Sequence, residues 1–465
     1  MKKYEKDNDL TEGKILESLI KLALPIMGTS FIQMAYSIVD MIWVGRLGSK
    51  SVAAIGTAGF FTWLAMAFIL IPKTGAEIRV AQSIGRKNIK EANNFAVNTI
   101  QLTIVLAILY GTCLLIFKRQ LICFFNIKDT KVINEAISYL VIISMGMFFY
   151  FINPVFTGII NGYGNSKTPF IINTIGLVTN MIFDPLMIFG IGPFPLWGIK
   201  GAAIATILSQ LIVTIIFIYF IKARIQLFSG FSLFKIPDRD NINTIIKLGL
   251  PVAFQSGLFT IFSMFIARIV ASWGPEPIAV QKIGSQIESI SWMTASGFAT
   301  ALSTFVGQNY GAKKWGRIYK GYILSMGVVA ILGIIATCLL IFGAKPIFSI
   351  FINEEETVRQ GVVYLRILGI AQFFIWIEIT TSGAFNGLGR TIPPSLVGII
   401  FNGLRIPASM ILSDERLLGL KGVWWSISIS GLLKGVILTT WFIVFIWKHP
   451  EINAKNGIEH FFKSK

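Results

Sequence analysis

The sequence predicts an all-α membrane protein in which twelve transmembrane helices form two pseudo-symmetric six-helix bundles in a V-shaped arrangement. Three observations lead to this fold class. The 465 residues are 54% hydrophobic and have a mean hydropathy of +0.70, whereas ordinary soluble domains are about 45–50% apolar. Apolar stretches long enough to cross the roughly 30 Å hydrocarbon core recur along the chain. The second half of the sequence also repeats motifs of the first.

Each predicted span is an apolar stretch of about 20 residues or more. The twelve spans cover residues 15–45, 52–82, 95–117, 133–156, 169–191, 201–222, 244–271, 278–307, 320–343, 358–384, 393–413 and 421–447. Several are longer than about 25 residues, which indicates tilt or projection beyond the bilayer. The first is too long for the apolar region of a signal peptide, and no small-residue cleavage site follows it. We therefore expect it to be a membrane helix.

The two halves are related by an offset of about 226 residues. The stretch Ile20-Lys21-Leu22-Ala23-Leu24-Pro25 returns as Ile246-Lys247-Leu248-Gly249-Leu250-Pro251, and Asn161-Gly162-Tyr163-Gly164 returns as Asn386-Gly387-Leu388-Gly389. Six spans per half is an even number, so both halves enter the membrane in the same sense. Parallel repeats about an axis along the membrane normal are typical of secondary transporters.

The repeat and a polar, basic stretch between its halves set the predicted domains. These are an N-terminal bundle (1–221), a cytoplasmic connector (222–243), a C-terminal bundle (244–448) and a cytoplasmic tail (449–465). With the N-terminus inside, the inside segments hold 23 lysines and arginines and the outside loops hold 11. The positive-inside rule then predicts a multi-pass protein of the cell membrane with both termini in the cytoplasm. The net charge of +18 is explained by orientation, so no nucleic-acid partner is expected.

Several other function classes are not indicated. The three cysteines lack metal-ligand spacing and both histidines lie in the tail, which excludes a histidine-based metal site or triad. No paired Asp-rich motif is present for Mg²⁺-pyrophosphate chemistry, so a membrane-embedded enzyme is not predicted. No cofactor is expected either. A channel is disfavoured because the two halves carry unlike charges and no filter-like loop is apparent.

Pro25 and Pro251 lie in the first helix of each half. A proline inside a helix removes one backbone hydrogen bond and bends the helix. In a membrane, the carbonyl that loses its donor must find another one. The sequence leaves open whether Pro25 makes a fixed kink or one that moves.

Polar residues in the first half form a candidate ion-coupling site. A charge at the centre of a membrane helix costs about 2.5–3.5 kcal/mol on insertion scales. Asp40 lies late in the first span, with Tyr36 one turn earlier on the same face. In the fifth span, Asn180 and Asp184 share one face, and Pro185 follows at once.

Together with Thr206 of the sixth span, these residues predict a pocket lined by oxygen atoms. Asp40 and Asp184 would supply carboxylates, Asn180 an amide oxygen and Thr206 a hydroxyl. Hard cations such as Na⁺ prefer ligands of this kind, and the same pocket could hold a proton instead. The alternative is that both acids lie near the outer ends of their spans and are solvated.

The second half lacks this acid pair. Positions 40, 180 and 184 correspond there to Ile266, Arg405 and Ser409. The second half has its own charges within predicted spans, Glu288, Glu378 and Arg405. An internal ion pair between Glu378 and Arg405 is one interpretation, and a substrate site or second proton site is the other.

Several motifs resemble those of the multidrug and toxic compound extrusion (MATE) transporters. The first-helix signature is Pro25, then Asp40, then Val44-Gly45-Arg46-Leu47-Gly48. Ala81-Gln82-Ser83-Ile84-Gly85 and Val306-Gly307-Gln308-Asn309-Tyr310-Gly311 are similar to the family's loops after helices 2 and 8. Gly158 to Pro169 and its copy, Gly383 to Pro394, are similar to the loops after helices 4 and 10. The similarity covers essentially the whole chain in the right order.

The resemblance implies efflux of cationic or amphipathic compounds by exchange with H⁺ or Na⁺, with alternating access between two bundles. It also implies a membrane-embedded monomer that contacts lipid and small substrates. Many members place a glutamate in helix 7 where this chain has Gln255. With acids at Asp40 and Asp184, the pattern resembles the archaeal and DNA-damage-inducible (DinF-type) bacterial branch. The alternative is a lipid-linked oligosaccharide flippase of the same superfamily.

Overall fold

A computed structural model describes residues 9–125, 127, 129–224, 236–352 and 354–450. Residues 225–235 of the predicted connector and residues 451–465 of the predicted tail lie outside these described residues. Within them the chain forms fourteen α-helices: α1 Ile15–Gly45, α2 Ser49–Gly85, α3 Ile89–Cys123, α4 Thr130–Met145, α5 Met147–Gly162, α6 Lys167–Phe189, α7 Ile199–Arg224, α8 Arg239–Ala271, α9 Pro275–Gly311, α10 Trp315–Phe342, α11 Ala344–Ser349, α12 Glu355–Gly387, α13 Ile392–Leu412 and α14 Leu420–Trp447.

The helices account for the predicted spans. Ten are long and apolar enough to cross a membrane, and α4 with α5 makes an eleventh span that is bent by 52°. The bend falls at Gly146, where Ile207 of α7 occupies the space that a Cβ would need. The predicted span 278–307 lies within α9, a helix of 37 residues that is less apolar because it carries charged residues such as Lys282 and Glu288. The all-α class with twelve membrane helices is confirmed.

Contacts divide the chain into two compact units. One is Gly28–Ala253, and the other joins the described residues of Met1–Met27 to those of Phe254–Lys465. Both boundaries fall two residues after a repeated proline, Pro25 in α1 and Pro251 in α8. The chain therefore changes unit inside α1 and again inside α8. The predicted bundles place each of these helices wholly in one bundle, and that division stays a prediction.

The first part of α1 packs into the unit formed mainly by the second half. A Cβ on Gly297 of α9 would stand 2.9 Å from the Met27 backbone, and Leu19 and Leu22 are buried in the same hydrophobic cluster as Phe305. The first part of α8 packs in the same way in the other unit. There, a Cβ on Gly75 of α2 would stand 2.6 Å from the carbonyl oxygen of Ile245. Since α1 and α8 are corresponding helices of the repeat, each half places the first part of its first helix in the unit formed mainly by the other half.

The repeated glycine motif that ends α5 and α12 is a helix contact in both halves. A Cβ on Gly162 would stand 2.6 Å from the Glu77 carbonyl oxygen of α2. In the second half, Gly387 meets the Ser303 carbonyl oxygen of α9 in the same manner. Small residues four apart allow membrane helices to approach closely. These motif glycines therefore fix the positions of α5 and α12, which carry the buried polar residues Asn153 and Glu378.

Candidate functional site

The centre of the first-half site lies on α6. Asn180 and Asp184 are one turn apart, and both are fully buried. The Asn180 Nδ2 amide donates a hydrogen bond of 3.0 Å to Asp184 Oδ1. Pro185 follows inside the helix, and its missing N–H leaves the Met181 carbonyl without its usual helical donor. Side-chain and backbone oxygens are thus concentrated near the end of α6.

Helices α1 and α7 supply the other predicted residues. The Tyr36 hydroxyl donates to Thr206 Oγ1 at 3.2 Å, and Thr206 Oγ1 donates to the Ala202 carbonyl at 2.9 Å. Asp40 is half-buried one turn after Tyr36 and lies within electrostatic range of Asp184. All five residues predicted from sequence lie together within the unit Gly28–Ala253.

Tyr139 of α4 is a further member that the sequence analysis did not identify. It is 8% exposed and lies within electrostatic range of both Asp40 and Asp184. A tyrosine in an apolar span gives no sequence signal of this kind, because aromatic residues are common in membrane helices. Only the packing of α4 against its neighbours places Tyr139 beside the acids.

The site leaves polar atoms unsatisfied. Asn180 Oδ1 and Asp184 Oδ2 are buried and have no hydrogen-bond partner among the described residues, although buried polar groups are normally satisfied. Within the same part of the chain, neither Asp40 nor Asp184 forms an ion pair. A set of free oxygen atoms with uncompensated negative charge suits a hard monovalent cation, a proton or an organic cation.

The first half also contains a second polar network, centred on Asn153. Asn153 of α5 donates to Gln210 Oε1 at 2.7 Å and accepts from the Thr214 hydroxyl at 2.8 Å. Asn173 of α6 donates to the Pro169 carbonyl at 2.7 Å. These side chains have partners within the protein, and Asn173 also donates to Thr157 Oγ1 of α5 at 3.4 Å, so the network joins α5, α6 and α7.

In the second half, the buried ion pair differs from the predicted one. Glu378 of α12 accepts a hydrogen bond of 3.3 Å from Lys434 Nζ of α14, and both residues are buried. The ion pair between Glu378 and Arg405, one of the two interpretations of these charges, is not formed among the described residues, where Lys434 is the nearer cation. The sequence did carry a signal, since Lys434 is the only charged residue between Lys421 and Lys448.

Arg405 and Glu288 form the rest of this cluster. Arg405 Nε donates to Ser430 Oγ of α14 at 2.9 Å, and the Tyr364 hydroxyl donates to Glu288 Oε2 at 3.4 Å. Arg405 lies within electrostatic range of both Glu288 and Glu378. Gln255 of α8, the other predicted second-half residue, packs against α13 two turns before Arg405, at Gly398.

The two halves therefore carry different charges at matching positions. Asn180 and Asp184 of α6 correspond to Arg405 and Ser409 of α13. The first-half site contains two acids without a cation. The second-half cluster contains two acids and two cations, and its formal charges balance.

Comparison with known proteins gives a consistent family. The MatE family model matches residues 25–186 and 251–411, one stretch in each half of the repeat. The chain is 30% identical over 453 residues to a probable multidrug resistance protein NorM of Thermotoga maritima, with 96% of each chain covered. It is 24% identical over 435 residues to an FAD transporter of Shewanella oneidensis, covering 92% of this chain and 94% of the relative. Its fold superimposes with a TM-score of 0.87 on an outward-facing multidrug resistance MATE family transporter of the MOP superfamily, at 22% identity, covering 95% of this chain and 98% of that one.

Proposed function

This chain belongs to the MatE family, whose members are membrane transporters and not enzymes, and from that premise we propose that it is a secondary antiporter. It exports cationic or amphipathic small molecules in exchange for Na⁺ or H⁺. It acts as a monomer in the lipid of the cell membrane, with both termini in the cytoplasm. The observation that carries the proposal is the acid pair of the first half, the buried Asp184 and the half-buried Asp40, neither of which forms an ion pair within the described residues.

The acid pair supports exchange because an ion and a cationic substrate cannot both neutralise it. When Na⁺ or a proton binds at Asp40 and Asp184, the negative charge that attracts an organic cation is lost. When the organic cation binds, the ion is displaced. A ligand shifts a conformational equilibrium only through different affinity for the two states, so occupancy of this pocket would set which side of the membrane the substrate can reach.

The path of α1 supports a mechanical link between this pocket and the conformational change. Pro25 precedes Asp40 by fifteen residues, about 22 Å along a helix at ~1.5 Å per residue. The part of α1 up to Met27 belongs to one compact unit and the part that carries Asp40 belongs to the other. We propose that α1 bends at Pro25 during alternating access.

Replacing Pro25 by alanine is expected to slow turnover and leave substrate binding largely unchanged, because the restored N–H would stiffen the bend without touching the acids. Fluorescence binding in detergent and dye efflux from vesicles measure the two quantities. Pro251→Ala is the matched control and should have the smaller effect, since α8 carries Ile266 where α1 carries Asp40. An equal loss of turnover in both variants would rule out a hinge at Pro25.

Transport by the purified protein in vesicles tests the function directly. An imposed inward Na⁺ gradient or pH gradient is expected to drive export of a cationic dye, and collapse of that gradient should stop it. A cysteine at Lys90, in a background without Cys113, Cys123 and Cys338, reports the orientation, because the proposed topology places Lys90 in the cytoplasm. Dye transport at a rate that does not depend on either gradient would contradict antiport.

A further inference from the structure

Arg405 and Glu288 are opposite charges in one cluster that do not form an ion pair. No nitrogen of Arg405 comes within 4.0 Å of a carboxylate oxygen in the described structure. Each side chain is held by another group. Arg405 is anchored through Nε to Ser430, and Glu288 accepts a long hydrogen bond from Tyr364. The two anchors keep the guanidinium and the carboxylate apart.

Arg405 and Glu288 therefore both keep polar atoms that can bind a ligand. A guanidinium has five N–H donors, and the hydrogen bond to Ser430 uses only the one on Nε. Within the described residues, neither Nη atom of Arg405 has a hydrogen-bond partner, and Glu288 Oε1 has none either. Both residues are half-buried, so a small ligand can approach them.

The neighbouring charges do not supply the missing partners. Glu378 is paired with Lys434, which leaves Arg405 and Glu288 as the two members of this four-residue cluster without an ion-pair partner in the described structure. Arg405 lies on the inner face of α13, in line with the buried residues Gly398 and Ser409. It is also the repeat counterpart of Asn180, the central amide of the first-half site.

We propose that Arg405 and Glu288 form a subsite for a zwitterionic amphipathic substrate. The substrate's carboxylate binds the two free Nη groups of Arg405, a geometry that favours a planar anion, and its ammonium group binds Glu288. Trp292, one turn after Glu288 on the same face of α9, is 44% exposed and offers an apolar surface for the body of the substrate. This inference rests on the proposed transport function and defines a substrate class for it.

The charge arrangement selects a zwitterion over either single ion. An anion that binds Arg405 comes near the negative charge of Glu288, and a cation that binds Glu288 comes near the positive charge of Arg405. Each single ion therefore gains one attraction and meets one repulsion. A ligand with both charges gains two attractions, and this complementarity gives specificity.

The first test compares three forms of one probe on the wild-type protein, so it needs no variant to fold. The probes are a coumarin-bearing α-amino acid, its carboxamide (a cation) and its N-acetyl derivative (an anion). The zwitterion is expected to bind about tenfold more tightly than either of the others, which corresponds to about 1.4 kcal/mol. Equal affinities, or tighter binding of either single ion, would overturn the proposal.

The second test assigns the two charges to their residues. Arg405→Gln should abolish the preference for the acid over the carboxamide, and Arg405→Lys should keep part of it. Glu288→Gln should abolish the preference for the amine over its N-acetyl form. Arg366→Gln is the matched control, because Arg366 is exposed on α12 of the same unit and, among the described residues, hydrogen-bonds only to the Ile341 carbonyl. If Arg405→Gln weakened all three probes equally, its role would be structural and the subsite would be wrong.

Failure of the proposed subsite can be distinguished from failure of the proposed transport function. Asp184→Asn is expected to remove coupling to the ion gradient while the order of probe affinities stays the same. A protein that ranks the probes as expected but transports none of them would keep the subsite and refute antiport. A protein that transports a cationic dye but shows no preference for the zwitterion would keep antiport and refute the subsite.

Discussion

Asp184→Asn should strongly slow gradient-driven export and leave a folded protein. Asparagine keeps the shape of the side chain and an oxygen that can accept the 3.0 Å hydrogen bond from Asn180. It removes the charge that would bind Na⁺, a proton or an organic cation. Because Asp184 is fully buried and forms no ion pair in the described structure, its charge is costly to the folded state. The variant should therefore be at least as stable as the wild type.

The measurement is dye efflux from vesicles under an Na⁺ gradient and, separately, under a pH gradient, with thermal unfolding in detergent alongside. We expect the coupled rate to fall by about a hundredfold, which corresponds to about 2.7 kcal/mol at 1.36 kcal/mol per factor of ten. Asp40→Asn should act in the same direction. Asp414→Asn, an exposed loop acid, is the control and should transport normally. Wild-type rates in Asp184→Asn would show that the ion couples elsewhere.

Lys434→Met is expected to be the most destabilising of the substitutions considered. It removes the only ion-pair partner of Glu378 in the described chain and leaves a buried carboxylate without a hydrogen-bonded cation. Removing one member of a buried ion pair costs about 3–5 kcal/mol. Replacing both members is much milder, because neither charge is then left unpaired. The double variant Lys434→Met with Glu378→Gln should therefore recover most of the lost stability.

Unfolding of the two single variants and the double variant in detergent gives the coupling energy as a double-mutant cycle. Lys421→Met is the matched control, since Lys421 is exposed at the start of the same helix, and it should unfold like the wild type. A double variant no more stable than Lys434→Met would mean that the loss comes from packing of the lysine stem. The ion pair would then contribute little.

The cluster around Glu378 shows that a buried charge can be predicted from sequence whereas its partner cannot. Glu378 is recognisable as a charge in an apolar span, because burial of a charge is costly wherever it lies along the helix. Its partner is not recognisable, since Arg405 and Lys434 both offer a cation on a neighbouring helix. The choice depends on the rotation of α12 and α14 about their axes and on their relative depth. Tyr139 could not be predicted as a site residue for the same reason, because its closeness to Asp40 and Asp184 is a property of helix packing.

The sequence by itself determined the membrane spans, the internal repeat and the polar face of α6 that carries Asn180 and Asp184. These are local properties, set by the hydropathy of about 20 consecutive residues and by the 3.6-residue period of the helix. Only the tertiary structure decided that α1 and α8 each pass from one compact unit to the other just after Pro25 and Pro251. It also decided that Glu378 pairs with Lys434 and that Arg405 keeps free donors. These features depend on contacts between helices far apart in the chain, and such contacts follow from how side chains fit together across helices.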